Sequence, residues 1–203
     1  MAEIFIYTVL IDSVTEEQLV SATERLPEWR SDYIKGRSFG GRTESAFSYL
    51  LLQKLLSERF GLTDTARFTY GKFGKPYFSQ TDVFFSISHC KTAAAAAVSK
   101  TEIGVDIMDD RPINENIATR ICSERELERF DAAADRQRFL RELWCKKESL
   151  VKKSGIGFSK GFSSADTSDL DFFVFSADKY TVSLALEPSD TVILDEIPFT
   201  SLL

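Results

Sequence analysis

The stretch Ile103-Gly104-Val105-Asp106-Ile107-Met108 constrains the fold more than any other part of the chain. Apolar residues around a lone carboxylate read as a buried strand with Asp106 at its exposed end. Gly104 carries no side chain and lets another group approach the backbone. Burying an acid is costly unless something positive or hydrogen-bonding meets it. A metal ion is one candidate, backbone N–H groups are another, and these six residues alone favour the second.

The chain has 203 residues and 12% aromatics, enough for one large domain or two small ones with a true core. No apolar run approaches the ~20 residues of a membrane span, so no membrane association is expected. Met1-Ala2-Glu3 lacks a basic n-region, so no signal peptide is expected. Cys90, Cys122 and Cys145 are scattered without a C-x-x-C pair, which suits a reducing cytoplasm. The net charge of −6 argues against nucleic-acid binding. Residues 1–102 hold 12 basic and 12 acidic side chains, and residues 103–203 hold 13 and 19. An anionic ligand therefore needs a local basic pocket, expected in the first half.

Along the chain, Ile4–Ile11 reads as a buried strand and Thr15-Glu16-Glu17 as a helix start, with Pro27 ending that helix. Arg30 to Arg42 is a polar, basic stretch with three glycines. A long helix is expected from about Arg42 to Phe60, stopped by Gly61. Its N-terminus and Arg42 together would suit a phosphate; a solvated loop is the plainer reading of that segment. Arg67–Tyr70 and Val83–Ser88 read as strands. Gly71-Lys72-Phe73-Gly74-Lys75-Pro76 is no Walker loop, because Pro76 forces Lys75 into an extended conformation.

The alanine run within Thr92–Val98 favours helix by propensity, but its flanks predict a tightly packed inner strand. Beyond residue 102, Ser123 opens a capping-box helix reaching about Ala134, and Asp135 caps a helix over Arg136–Ser154 stopped by Gly155. Leu170–Phe175, Tyr180–Leu186 and Thr191–Ile197 read as strands. The chain thus divides near residue 102 into two α/β-mixed halves, 1–102 and 103–203.

The second decisive stretch is Trp144-Cys145-Lys146-Lys147-Glu148-Ser149-Leu150-Val151-Lys152-Lys153-Ser154-Gly155. Trp144, Glu148 and Lys152 stack at i, i+4 and i+8 on one flank of the helix. In isolation, Glu148 and Lys152 are an ordinary surface pair worth about 0.3–0.5 kcal/mol. The single histidine, His89, and Cys90 are strand neighbours on opposite faces, which argues against a Cys–His nucleophile pair. The cysteine spacing argues against zinc. His89 beside Ser88, with Lys75 upstream, could instead contact a phosphate.

Gly74-Lys75-Pro76-Tyr77, Phe85-Ser86-Ile87-Ser88-His89, Ile103–Ile107 and Trp144–Gly155 together resemble the ordered motifs of 4'-phosphopantetheinyl transferases of the larger, pseudodimeric class. The resemblance implies an α+β fold of two similar halves packed as a pseudodimer. The first half, 1–102, would bind coenzyme A phosphates, and the second, 103–203, would hold magnesium and the catalytic residues. It further implies a monomeric, cytoplasmic enzyme that moves phosphopantetheine from coenzyme A to a serine of an acyl or peptidyl carrier protein. Arg42, Lys75, Ser88 and His89, with Arg37 a weaker candidate, match the contacts to the phosphates. Asp106 and Glu148 match the magnesium ligands, Glu148 also the group that removes the serine proton, and Lys152 the lysine that steadies the phosphates.

One position departs from the pattern. Many relatives carry an acid two residues after the aspartate, where this chain has Met108; Asp109 should face the other way. The carrier surface is expected between Arg111 and Phe130, where Arg120, Arg125 and Arg129 could meet an acidic helix. A non-catalytic coenzyme A or carrier-protein binding module, and a metal-dependent phosphohydrolase, are the competing readings.

Overall fold

A computed structural model describes residues 2–63, 67–79, 81–156 and 162–203. The chain opens with β1 (Glu3–Leu10), α1 (Glu16–Glu24), α2 (Glu28–Ile34) and the long α3 (Phe39–Phe60). Next come β2 (Thr69–Tyr70), β3 (Pro76–Tyr77), β4 (Phe84–His89), β5 (Ala93–Ser99) and β6 (Val105–Asp109). Then follow α4 (Ala118–Ile121), α5 (Glu124–Asp131) and α6 (Arg136–Ser154). The strands β7 (Phe172–Ser176), β8 (Tyr180–Ala185) and β9 (Thr191–Glu196) complete the mixed α+β fold.

Two sheets stack face to face, with a long helix on each outer side. The first has the order β4-β5-β1-β9 and the second β6-β8-β7. Tyr7, Val9, Ala94, Ala96 and Val98 meet Phe47, Leu51 and Leu55 of α3. Ile4, Ile6, Ala93, Ala95 and Ala97 meet Val105, Ile107, Val182 and Leu184 of the second sheet. The alanine run is thus an inner strand, bonded to β1 on one edge and β4 on the other. Alternation puts a methyl group on each face, so the layers above and below approach closely; this packing overrides alanine's preference for helix.

One feature joins the halves, and another seats α6 on β6. The N–H groups of Val105 and Ile107 on the edge of β6 donate to Ser86 Oγ at 3.0 Å and Ser88 Oγ at 3.3 Å. Hydroxyls of β4 therefore satisfy a strand edge that would otherwise be buried unpaired. At Gly104, an added Cβ would lie 2.0 Å from the Ser149 carbonyl oxygen and 2.2 Å from the Lys153 nitrogen. Only glycine lets α6 sit this close to the strand that carries Asp106.

Several boundaries differ from expectation. Glu28–Ile34 is helical rather than loop, with Pro27 at its N-cap instead of merely ending α1. The long helix starts at Phe39, where the Ser38 hydroxyl accepts from Gly41 N–H, so Arg42 lies inside its first turn and not at its mouth. The last strand crosses the boundary near residue 102. It runs parallel to β1, pairing Glu3 with Thr191, and Leu202 packs in the first core. Among the described residues, no helix is long and apolar enough to cross a membrane.

Candidate functional site

The centre of the site is Asp106, only 7% exposed although it carries a carboxylate. Ser88 Oγ donates to its Oδ1 at 2.8 Å, and Lys152 Nζ donates to the same oxygen at 2.6 Å. Lys152 also donates to Ser88 Oγ at 2.8 Å, closing a triangle drawn from β4, β6 and α6. Glu148 lies half-buried one helical turn before Lys152. Burial pushes its carboxyl up, the Asp106 charge pushes it further, and Lys152 pulls it back. The two acids are thus close enough for one to feel the other, as the spacing on α6 and the placement of Asp106 require.

An open cleft of about 340 Å³ lies over this triangle. Arg30, Arg37, Ser88, His89, Asp106 and Lys152 are among the residues that line it. His89 Nδ1 lies 3.3 Å from Glu44 Oε2. Burial lowers the imidazole's pKa, Glu44 opposes that, and Lys152, Arg30 and Arg37 add to it. A cleft with this many cations and a neutral-leaning histidine attracts anions. Arg37 stacks over the Tyr33 ring at 4.5 Å.

Arg30 is the lining residue that the sequence reading left in a basic loop. It is 5% exposed, and its Nη2 donates to the Ser45 carbonyl at 3.1 Å and to Ser45 Oγ at 2.9 Å. Its Nε has no hydrogen-bond partner among the described residues. Burial lowers its pKa, although the neighbouring tyrosines oppose that. A signal was available: Arg30 stands four residues from both Leu26 and Ile34, on the buried side of a helix.

The remaining predicted residues sit elsewhere. Lys75 Nζ donates to Glu102 and, at 2.8 Å, to the Lys153 carbonyl at the end of α6. It lines a smaller apolar cleft with Phe73, Phe85 and Val151, next to the first through the shared Pro76, Ile87 and Lys152. Arg42 lies 3.7 Å from Glu16 and is not among the residues lining the cationic cleft. Met108 is half-buried. Asp109 accepts from Thr92 N–H at 3.0 Å and Thr92 Oγ1 at 2.8 Å and pairs with Arg111 at 2.8 Å, away from Asp106. Among the described residues, no group of three His, Cys, Asp or Glu side chains is placed to hold a metal.

A second acid–lysine pair escaped the sequence reading altogether. Lys147 is 0% exposed and Glu126 1%. They meet at 2.6 Å, and Lys147 also donates to the carbonyls of Phe162 at 2.9 Å and Ala165 at 2.7 Å. Glu126 further accepts from Ser123 N–H at 2.8 Å and from Thr167 N–H and Oγ1 at 2.8 and 2.7 Å. Burial raises its pKa, but Lys147 and these donors outweigh burial and hold it low. Trp144 stacks on Phe162 at 4.8 Å beside this pair.

Fold and site together define an α+β protein with an anion-attracting cleft above paired acids. Residues 102–194 match the family model of the 4'-phosphopantetheinyl transferase superfamily. The chain is 33% identical over 115 residues to a 4'-phosphopantetheinyl transferase of Bacillus subtilis, covering 54% of this chain and 51% of that one. It is 36% identical over 94 residues to the 4'-phosphopantetheinyl transferase psf-1 of Bacillus pumilus, covering 45% and 40%. It is 35% identical over 71 residues to the holo-[acyl-carrier-protein] synthase of Hydrogenovibrio crunogenus, covering 32% and 56%. The matches span about half the length of these relatives. The second half of the chain is thus similar to the 4'-phosphopantetheinyl transferase superfamily.

Proposed function

We propose that this chain is a magnesium-dependent enzyme that transfers the 4'-phosphopantetheine group of coenzyme A to a serine of an apo acyl- or peptidyl-carrier protein. The observation that carries the reading is the triangle of Ser88, Asp106 and Lys152 under a cationic cleft, with Glu148 beside it. Each corner comes from a different motif, and the cleft suits an anionic substrate.

The donor set fits magnesium. Two neighbouring carboxylates, Glu148 raised by burial and then by the Asp106 charge, suit a cation between them. Magnesium takes one or two carboxylates and fills its octahedron with phosphate oxygens and waters, so a third protein ligand in place of Met108 is not required. Asp106 and Glu148 would hold the ion, which when bound would polarise the pyrophosphate and offset charge on the leaving group.

The chain's own groups do the rest. Arg30, Arg37 and His89 hold the anionic end of coenzyme A in the cleft, and Lys152 meets a pyrophosphate oxygen. The carrier serine Oγ attacks the phosphorus bonded to pantetheine while Glu148 takes its proton. The bond from that phosphorus to the nucleotide breaks, releasing adenosine 3',5'-bisphosphate. Lys75 and Arg42 are the weaker phosphate contacts, since both already serve other carboxylates. Three free thiols fit a reducing cytoplasm, and sheet-to-sheet packing within one chain fits a monomer.

The test is incubation with coenzyme A, magnesium and a panel of apo carriers, read by mass. A gain of one phosphopantetheine on a carrier supports transfer. No gain on any carrier, with coenzyme A still bound, favours the binding module, the reading that Met108 encourages. Phosphate release without an acceptor would instead mark a phosphohydrolase.

A further inference from the structure

We propose that Lys152 is the internal cation of the ligand-free site, and that a divalent ion and the coenzyme's pyrophosphate displace it together rather than one after the other. This rests on the assignment of Asp106 and Glu148 as the ion's ligands. The geometry is specific. Lys152 Nζ lies 2.6 Å from Asp106 Oδ1 and 2.8 Å from Ser88 Oγ, which itself donates to the same carboxylate oxygen. Asp106 is 7% exposed at the edge of the cleft, and the ammonium is the cation that meets its charge there. A divalent ion on that oxygen would stand against an ammonium, and like charges at such separation repel strongly.

The lysine has somewhere to go. Its side chain is 30% exposed and reaches the cleft, whereas Lys147 on the same helix is sealed at 0%. The cleft is empty of acids other than Asp106 among its described lining residues and is rimmed by Arg30, Arg37 and His89. An incoming pyrophosphate is therefore the nearest alternative partner for the ammonium. Without it, the ion would find only Glu148 and an aspartate already occupied, with Met108 offering no third charge. With it, the ion gains phosphate oxygens at the moment Lys152 is drawn away. The ion and coenzyme then tighten each other's binding by one common factor, as linkage demands.

The experiment measures binding of Mn²⁺, a paramagnetic substitute for magnesium, by electron paramagnetic resonance without any carrier protein. Wild-type protein is expected to bind Mn²⁺ at least about tenfold more tightly with coenzyme A than alone. Lys152→Met is expected to bind Mn²⁺ alone about tenfold more tightly than wild type alone, and to depend less on coenzyme A than wild type does. Lys152→Gln, which keeps a hydrogen-bonding end without the charge, is expected to match Lys152→Met and serves if the methionine variant does not fold. Equal Mn²⁺ affinity in wild type and both variants without coenzyme A overturns the inference while leaving the ion site standing. No Mn²⁺ binding to any of them, even with coenzyme A, overturns the ion assignment and the inference together.

Discussion

Lys147 and Lys152 leave α6 five residues apart, and each ends on a buried carboxylate. At 100° per residue they point about 140° apart around the helix, one into the small core against α4 and α5, the other into the seam between the sheets. The Lys147 ammonium meets Glu126 and two carbonyls, and Glu126 meets Ser123 and Thr167 as well. Every charge there is enclosed and answered. Lys152 shares one carboxylate oxygen with Ser88 and opens onto a cleft. The same chemical pair is a rivet where it is sealed and stands open to the cleft where it is not.

Removing the two acids proposed to hold the ion should have the largest effect. Asp106→Ala and Glu148→Ala are expected to lower carrier modification by about a thousandfold or more, the loss typical of a charge that acts on the transition state. Circular dichroism should stay near that of wild type. Unfolding in either variant would move that acid to the riveted class.

Lys147→Met should reverse the pattern. It leaves Glu126 charged and buried without its ammonium, a loss of about 3–5 kcal/mol by the usual cost of breaking a buried pair. Lys152→Met should change the urea midpoint far less, because Asp106 keeps Ser88 and lies at the cleft. Equal destabilisation by the two variants would erase the contrast between the pairs.

Gly104→Ala tests the joint from the other side. Its methyl would land on the backbone of α6 and push the helix off β6, at a cost of about 1–3 kcal/mol as in other overpacked sites. Thermal melting reads the cost, and the transfer rate should fall with it because Glu148 and Lys152 ride on that helix.

The smallest effect is a pH dependence. Glu126 titrates lower in the folded protein than in the unfolded chain. Its stabilisation is therefore complete above about pH 4.3, the ordinary glutamate value, and is lost as pH falls through the folded value. In Lys147→Met the depressing partner is gone, so that acid loss should begin at higher pH. An unchanged acid limb in urea titrations would mean Lys147 does not hold Glu126 low.

Much of this was legible beforehand. The Asp135 cap and Gly155 stop of α6 lie where local chemistry puts them, because capping depends on neighbours in sequence. The helix spacing of Trp144, Glu148 and Lys152 and the strand placement of Asp106 follow for the same reason. Arg30 was missed because a basic residue between a proline and glycines reads as loop until Ser45 and the aromatic rings around it are in view. Lys147 was missed because, beside Lys146, it looks like any solvated lysine; its partners are 15 to 21 residues away along the chain.

The sequence by itself determined the helix that carries Glu148 and Lys152, the strand that carries Asp106, and the family that their motifs resemble. All three depend on periodicity, caps and local pattern, which act over a few residues. Only the tertiary structure decided which lysine is sealed and which reaches the cleft, that Arg30 lines the cleft, and that β9 returns to the first sheet. Those outcomes depend on burial and on charges brought together across the fold, and no local pattern encodes a distance between residues far apart in the chain.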